Sequence, residues 1–247
     1  MIQYQRHQEI VAKLESNQAM SIRRLARELF TSESTIRRDL SELEQQGLVK
    51  RVYGGVVLAK HASSLVPVFQ RAQDNIAAKQ IIAARAASLV RNGMSLFLDT
   101  STTTACIVPH LKNFKHLTVI TNSHIIAEKL GEFSSDCVHI LCTGGMYLPI
   151  DKAFGGSFAV HMLEMVSVDL MFFSSTGINA LGEISDLSEP QTEVRRTMMR
   201  RATQRVFLCD QSKFGKQSIY RLCDRSGYDY IISDGELPEE LRDAELS

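Results

Sequence analysis

The chain lacks most of what would mark a metalloprotein, a secreted protein or a membrane protein. Its five cysteines, Cys106, Cys137, Cys142, Cys209 and Cys223, include no C-x-x-C pair, and their number is odd. Several lie in apolar runs such as 138–142 and 206–209, so buried free thiols in a reducing cytoplasm are expected and a disulfide framework is not. The seven histidines are scattered with no H-E-x-x-H or other ligand spacing; no metal and no other cofactor is expected. No stretch approaches the apolar length of a membrane span, and the first residues lack the apolar core of a signal peptide, which places the chain in the cytoplasm as an expectation. Internal repeats and low-complexity segments are missing too. So is net charge, with 28 Lys and Arg against 28 Asp and Glu, which argues against a protein that simply coats nucleic acid.

What is present is a chain of 247 residues, 44% hydrophobic and 23% charged, long enough for one small and one medium domain with real cores. Its charge is unevenly spread. Residues 1–60 hold ten Lys and Arg against seven Asp and Glu, an excess of three that the remainder compensates. A local basic surface of that size suits a specific binder better than a nonspecific one, and one such head would bind weakly alone.

The most informative run is Ser32-Glu33-Ser34-Thr35-Ile36-Arg37-Arg38-Asp39-Leu40. Ser32 can cap a helix by accepting from the orphan amides of its first turn. Ile36, Leu40 and Leu43 recur at i, i+4 and i+7 and define a buried stripe. Ser34, Arg38, Ser41 and Gln45 fall on the opposite face, with Thr35 and Arg37 flanking. An apolar back with a front of Ser, Thr, Arg and Gln suits a major groove, where arginine pairs bidentately with guanine. Upstream, residues 4–16 carry Ile10, Val11 and Leu14 at helical spacing, and Ser21 caps a second helix striped by Ile22, Leu25, Ala26 and Leu29. Downstream of Gly47, residues 48–58 alternate as a hairpin with Gly54-Gly55 as its turn, Lys50, Arg51 and Tyr53 being its phosphate-reaching side chains. Three helices and a hairpin make a winged helix-turn-helix whose third helix reads the groove. A helical protein-interaction module with merely solvated arginines is the competing reading.

Residues 4–58 resemble the head of the DeoR family of bacterial transcription regulators. The specific match is Thr35-Ile36-Arg37-Arg38-Asp39-Leu40 followed by Arg51-x-Tyr53-Gly54-Gly55, with Tyr53 where the family usually shows histidine. The resemblance implies a DNA contact set of Ser21, Ser32, Ser34, Thr35, Arg37, Arg38, Ser41, Lys50, Arg51, Tyr53, Gly54 and Gly55.

A polar stretch over 59–75 reads as a linker between this head (1–58) and a second domain (76–247). From residue 76 short apolar runs near 94–98, 117–120, 138–141, 168–174, 206–209 and 230–232 alternate with helical segments, notably 77–90, 124–133 and 193–203. The pattern predicts an α/β domain with a mostly parallel sheet covered on both faces. Such sheets bind ligands beyond the carboxyl ends of their strands. The residues found there are small and polar: Asp99 to Thr104, Thr121-Asn122-Ser123, Thr143-Gly144-Gly145, Thr176-Gly177-Ile178 and 210–215 with Lys213. Any one of these loops is more often a helix cap than a site; together they predict a pocket.

The second domain resembles the effector domain of the same family, itself similar to the ribose-5-phosphate isomerase and CoA-transferase type of sheet. The matching pieces are Lys79-x-x-Ile82-Ala83, Leu98 to Thr103, Thr121 to Ser123, Gly144-Gly145, Gly177-Ile178 and Ser212-Lys213-Phe214-Gly215. The resemblance implies a phosphorylated sugar or similar metabolite held by Asp99, Thr100, Ser101, Thr102, Thr103, Thr121, Asn122, Ser123, Gly144, Gly145, Gly177 and Lys213. Ser101 stands where the family usually has glycine, and Pro109 interrupts the helix expected after it. A catalytic isomerase would want carboxylates after the fourth strand. The segment 172–179 has none, so no catalytic residue is assigned, and a sugar-phosphate enzyme with an accessory DNA head is the alternative. The basic pairs Arg195-Arg196 and Arg200-Arg201, with Arg205, read as a solvated or subunit-contact face. The expectation is a homo-oligomeric regulator, dimer or tetramer, most simply a repressor of sugar or related carbon metabolism, with activation left open.

Overall fold

The spacing of Ile10 and Leu14 along α1 (Gln3–Ser16) turns both inward to full burial. Ser21 Oγ accepts from the Arg24 amide at 3.2 Å and opens α2 (Ile22–Glu28). Ser32 Oγ accepts from the Thr35 amide at 3.1 Å and opens α3 (Glu33–Gln45). Leu25, Leu29, Ile36, Leu40 and Leu43 close over the α1 stripe in one apolar core. Antiparallel strands β1 (Val49–Val52) and β2 (Gly55–Leu58) add Val49, Val56 and Leu58 to that core.

This computed structural model describes residues 2–17, 20–52, 55–58, 68–132 and 138–245. They fall into two units, Met1–Pro67 and Val68–Ser247. In the first, the hairpin differs from expectation. Val52 pairs with Gly55, so Gly55 belongs to the strand and not to the turn, while Tyr53 and Gly54 lie outside the described residues. Gly55 is needed for another reason: a Cβ there would stand 2.6 Å from the Met20 carbonyl oxygen. Met20 and Val56 exchange two main-chain hydrogen bonds, which lay the segment before α2 along the hairpin.

The expected linker divides at the same boundary. Residues 59–67 lie outside the described residues, but α4 (Val68–Gln73) is helical and belongs to the second unit, its Val68 amide donating to the Ile150 carbonyl at 3.0 Å. Asn75, at φ 53°, turns the chain into α5 (Ile76–Ala87). The core of the unit is a sheet of β3 (Ser95–Leu98), β4 (Leu117–Thr121), β5 (Val138–Cys142), β8 (Val168–Phe173), β11 (Ala202–Leu208) and β13 (Tyr230–Ile232). The spatial order is β13-β11-β8-β3-β4-β5, and every pairing is parallel.

Successive residues of these strands are buried on opposite sides, as the near-continuous apolar runs require. Phe97, Ile120, Met171, Phe173 and Phe207 face a layer that includes α8 (Gly156–Glu164) and α9 (Glu189–Arg201). Leu96, Leu98, Val119, Leu170, Phe172 and Leu208 face α5 and α7 (His124–Gly131). Between β3 and β4 the chain makes only one α-helical turn, α6 (Thr102–Ala105), and then a 3-10 turn, Val108–Asn113, with Pro109 at its start. Pro109 thus ends the expected helix early by having no amide to donate. Two smaller sheets complete the unit: a hairpin of β6 (Met146–Leu148) and β7 (Ala153–Gly155), and an antiparallel sheet of β9 (Gly177–Ile178), β10 (Ile184–Asp186) and β12 (Tyr220–Cys223). Cys209 is buried as expected; Cys142 is exposed because β5 is the edge strand, and Cys137 lies outside the described residues.

Candidate DNA-reading face and candidate effector site

On α3 the buried stripe is held by more than apolar contact. Asp39 has no exposed surface and accepts from Arg6 Nε at 2.5 Å and Arg6 Nη2 at 2.9 Å, with His7 Nε2 3.3 Å away. Burial alone would raise the Asp39 pKa; the hydrogen bonds and charge of Arg6, helped by His7, outweigh it and bring it below the ordinary carboxylate value. Asp39 is therefore the residue of the Thr35–Leu40 run that ties α3 to α1.

The opposite side of α3 is open. Ser34, Arg37 and Arg38 are exposed, with Thr35 and Ser41 half-exposed. Arg37 is drawn to Glu33 at 3.2 Å, one turn back, whereas Arg38 makes no hydrogen bond or ion pair among the described residues and is free to extend. Arg51 makes contacts within the head that the sequence does not suggest. Its Nη2 donates to the Arg37 carbonyl at 2.8 Å and to Ser41 Oγ at 2.5 Å, and its amide donates to Glu44 Oε1 at 3.0 Å. Arg51 thus fixes the wing against the reading helix. Ser21 and Ser32 act first as helix caps. Lys50 lies in β1, and Tyr53 and Gly54 fall outside the described residues.

In the second unit the register brings the strand ends to one edge. Leu98 pairs with Thr121 and Phe172, Thr121 with Cys142, and Phe173 with Phe207. Asp99, Asn122, Thr143, Ser174 and the 208–213 loop therefore emerge together. Ser101 Oγ caps α6 by accepting from the Thr104 amide at 3.1 Å. Asp99 Oδ1 accepts from the Ser101 amide at 3.0 Å and Thr104 Oγ1 at 2.8 Å. Thr121 Oγ1 donates to the Leu98 carbonyl at 2.7 Å, and Ser123 Oγ caps α7. Gly145, at φ 102°, sits where a Cβ would meet the Gly155 carbonyl oxygen at 2.7 Å, and Gly144 at φ 63° faces open space. At Gly177 a Cβ would meet Lys216 at 2.5 Å, so the backbone approach there requires glycine.

The sequence pattern does not reveal the centre of this edge. Arg195, expected on a solvated face, is only 4% exposed, and its Nε and Nη1 donate to Asp99 Oδ2 at 2.6 Å and Asp186 Oδ2 at 3.0 Å. Asp186 also accepts from Ser175 Oγ at 2.9 Å. The i, i+5 spacing of the arginine pairs could not single out the inward one, because its carboxylates lie on other elements, Asp99 ninety-six positions earlier and Asp186 nine. The other basic residues fit the expected polar face better: Arg200 and Arg201 are exposed and Arg205 pairs with Asp229 at 3.0 Å. Asp99 and Asp186, the carboxylates nearest an isomerase-like role, are both bound to this guanidinium and to hydroxyl donors.

Two lysines stand differently. Lys213 Nζ donates to Ser174 Oγ at 2.6 Å and lies 3.9 Å from Asp210. Lys79, almost wholly buried, donates to the Arg71 carbonyl. Burial lowers the pKa of both ammonium groups, and for Lys79 the nearby charge of Lys213 adds to it. Thr102 Oγ1 donates to the same Arg71 carbonyl at 3.3 Å. Asn75, the last residue of the expected linker, holds the 210–213 loop through Asp210 Oδ1 and Ser212 Oγ, each at 3.1 Å.

A winged helix-turn-helix joined to a parallel α/β domain with a polar, cation-bearing strand edge defines a DNA-binding transcription regulator with a sensor domain. The chain belongs to the DeoR family: residues 6–62 match the DeoR-like helix-turn-helix domain and residues 74–235 the DeoR C terminal sensor domain. It is 35% identical to the HTH-type transcriptional regulator YgbI of Escherichia coli, over 97% of this chain and 92% of that one. It is 34% identical to the L-fucose operon activator of Haemophilus influenzae, over 90% and 88% of the two chains. The glycerol-3-phosphate regulon repressor of the same organism is 30% identical over 98% and 92%. Among solved structures, a ribose 5-phosphate isomerase from Methanocaldococcus jannaschii aligns with 57% of this chain and 55% of its own, at 18% identity and a TM-score of 0.42.

Proposed function

We propose that the protein represses a carbon-metabolism operon and is released from its operator by a phosphorylated metabolite bound at the strand edge of the sensor domain. The observation that carries this reading is the pair of mostly buried lysines, Lys79 and Lys213, beside the hydroxyl-rich 99–104 loop. A phosphate there would relieve the cost of two desolvated ammonium groups and accept from the hydroxyls around them. Asp99, Thr100, Ser101, Thr102, Thr103, Thr121, Asn122, Ser123, Gly144, Gly145, Gly177 and Lys213 form the wider contact set. The head reads DNA with Arg38, Ser34, Thr35 and Arg37, while Lys50, Arg51 and Tyr53 of the wing contact phosphates or the adjoining minor groove.

The route to release runs through α4. Lys79 Nζ and Thr102 Oγ1 both donate to the carbonyl of Arg71, whose side chain is also bound to Asp151 at 2.5 Å. A phosphate taking those two donors displaces the carbonyl and loosens α4, the first element after residues 59–67. Paired heads on repeated half-sites, brought together by a homo-oligomer, then lose their spacing. The switch works only through unequal affinity of the metabolite for the two arrangements.

The relatives named above include one repressor and one activator, so the sign of regulation is part of the test. Binding of the full chain to DNA beside its own gene is measured against a panel of sugar and polyol phosphates. Release by one compound, recovered unchanged, supports the reading. Turnover of that compound would favour an enzyme with a DNA head, and tighter DNA binding would reverse the sign.

A further inference from the structure

Three buried polar atoms at the strand edge, Thr103 Oγ1, Asn122 Oδ1 and Gln191 Nε2, have no hydrogen-bond partner among the described residues, and the last two belong to one network. Asn122, directly after β4, is fully buried; its Nδ2 donates to the Phe154 carbonyl and to Gln191 Oε1, each at 2.9 Å. Gln191, in the first turn of α9 and 2% exposed, accepts with that same Oε1 from Thr100 Oγ1 at 3.4 Å. Asn122 Oδ1 and Gln191 Nε2 are left buried with no hydrogen bond.

The orientation of the two amides is set by their surroundings. Turning Asn122 over would place its oxygen against the Phe154 carbonyl, acceptor facing acceptor. Turning Gln191 alone would set its nitrogen against Asn122 Nδ2, donor facing donor. Turning both would restore their mutual bond and still leave two oxygens opposed at Phe154. The orphaned acceptor and orphaned donor are therefore a consequence of the network.

Each such atom is destabilising while unsatisfied. What completes the pair is a group that donates to one and accepts from the other, which is the chemistry of an alcohol. We propose that Asn122 and Gln191 form a hydroxyl-reading subsite, with Gln191 the residue that selects the effector by its hydroxyl pattern. This rests on the phosphate reading above only in placing both ends of one ligand along the same edge. Lys79 and Lys213 hold the anion; the amide pair reads a hydroxyl elsewhere on the same molecule. The subsite therefore separates phosphate esters by where they carry a hydroxyl and gives bare phosphate nothing.

The test uses the full chain and measures dissociation constants for inorganic phosphate, for glycerol 3-phosphate and for aldose and ketose phosphates, each beside its deoxy and unphosphorylated counterparts. For the ester that binds best, removal of one particular hydroxyl weakens binding by about 10- to 100-fold. In Gln191→Met that penalty disappears while inorganic phosphate binds as before. The deoxy comparison on the unaltered protein needs no variant and holds even if Gln191→Met folds poorly. Deoxy compounds that all bind like their parents would show that ordered water alone occupies the amide pair, and would overturn the proposal. A Gln191→Met effect equal on phosphate and on every ester would make Gln191 structural and would overturn it too. Hydroxyl selection that persists without any contribution from phosphate would keep the subsite and overturn the anion site.

Discussion

Replacing Asp39 with asparagine should loosen the reading helix without touching a residue that faces DNA. The carboxylate has no exposed surface and receives two hydrogen bonds from a guanidinium whose side chain is 10% exposed. Breaking a buried ion pair by removing one partner costs about 3–5 kcal/mol. Asparagine retains one acceptor for the guanidinium, so about 2–3 kcal/mol is the reasonable expectation. Amide hydrogen exchange along α3 in the full chain reads this directly, as protection reduced by about 30- to 150-fold. Arg6→Met should act similarly, and the double variant should lose less than the sum, since no uncompensated charge remains. The pH dependence follows from the lowered pKa of Asp39. A carboxylate depressed in the folded state contributes stability above its unfolded pKa, and that contribution is lost as pH falls through the lower folded value. Protection of α3 should therefore fall in acid for the native protein and much less for Asp39→Asn. Unchanged α3 protection in both single variants would refute the view that this pair anchors the helix.

Arg38→Ala should weaken operator binding by about 1–3 kcal/mol and relax preference at one base step, as read by binding to single-base operator variants. Gly55→Ala should shift or destabilise the wing, because the added carbon would stand 2.6 Å from the Met20 oxygen; the loss of the two Met20–Val56 hydrogen bonds is visible as faster exchange of those amides. Lys213→Ala should abolish release by the effector while leaving operator affinity intact, and a normal response in that variant would remove Lys213 from the anion site.

Local periodicity carried the head and the sheet. The stripes of α2 and α3 and the six apolar runs became the elements they suggested, because in each the burial pattern repeats within one segment. What escaped were features fixed by distant partners. Arg195 looks like its exposed neighbours until Asp99 and Asp186 arrive from β3 and β10. Gln191 acquires meaning only beside Asn122, sixty-nine positions earlier. The short sheet of β9, β10 and β12 and the β6–β7 hairpin have strands of two to four residues, too brief to show a period. Arg51 was legible as a wing cation, but its hold on α3 was not.

The Arg71 carbonyl has a consequence for the dose at which such a sensor answers. It is a resident ligand, tethered to the chain and already seated on Lys79 and Thr102. In the proposed mechanism an incoming phosphate competes with it, so the affinity observed would be the intrinsic affinity reduced by the fraction of time those donors are vacant. The threshold concentration is then set jointly by the site and by how firmly α4 is fastened, including the Arg71–Asp151 ion pair. Substitutions along α4 could retune the response to richer or leaner conditions while the metabolite's own contacts stayed the same.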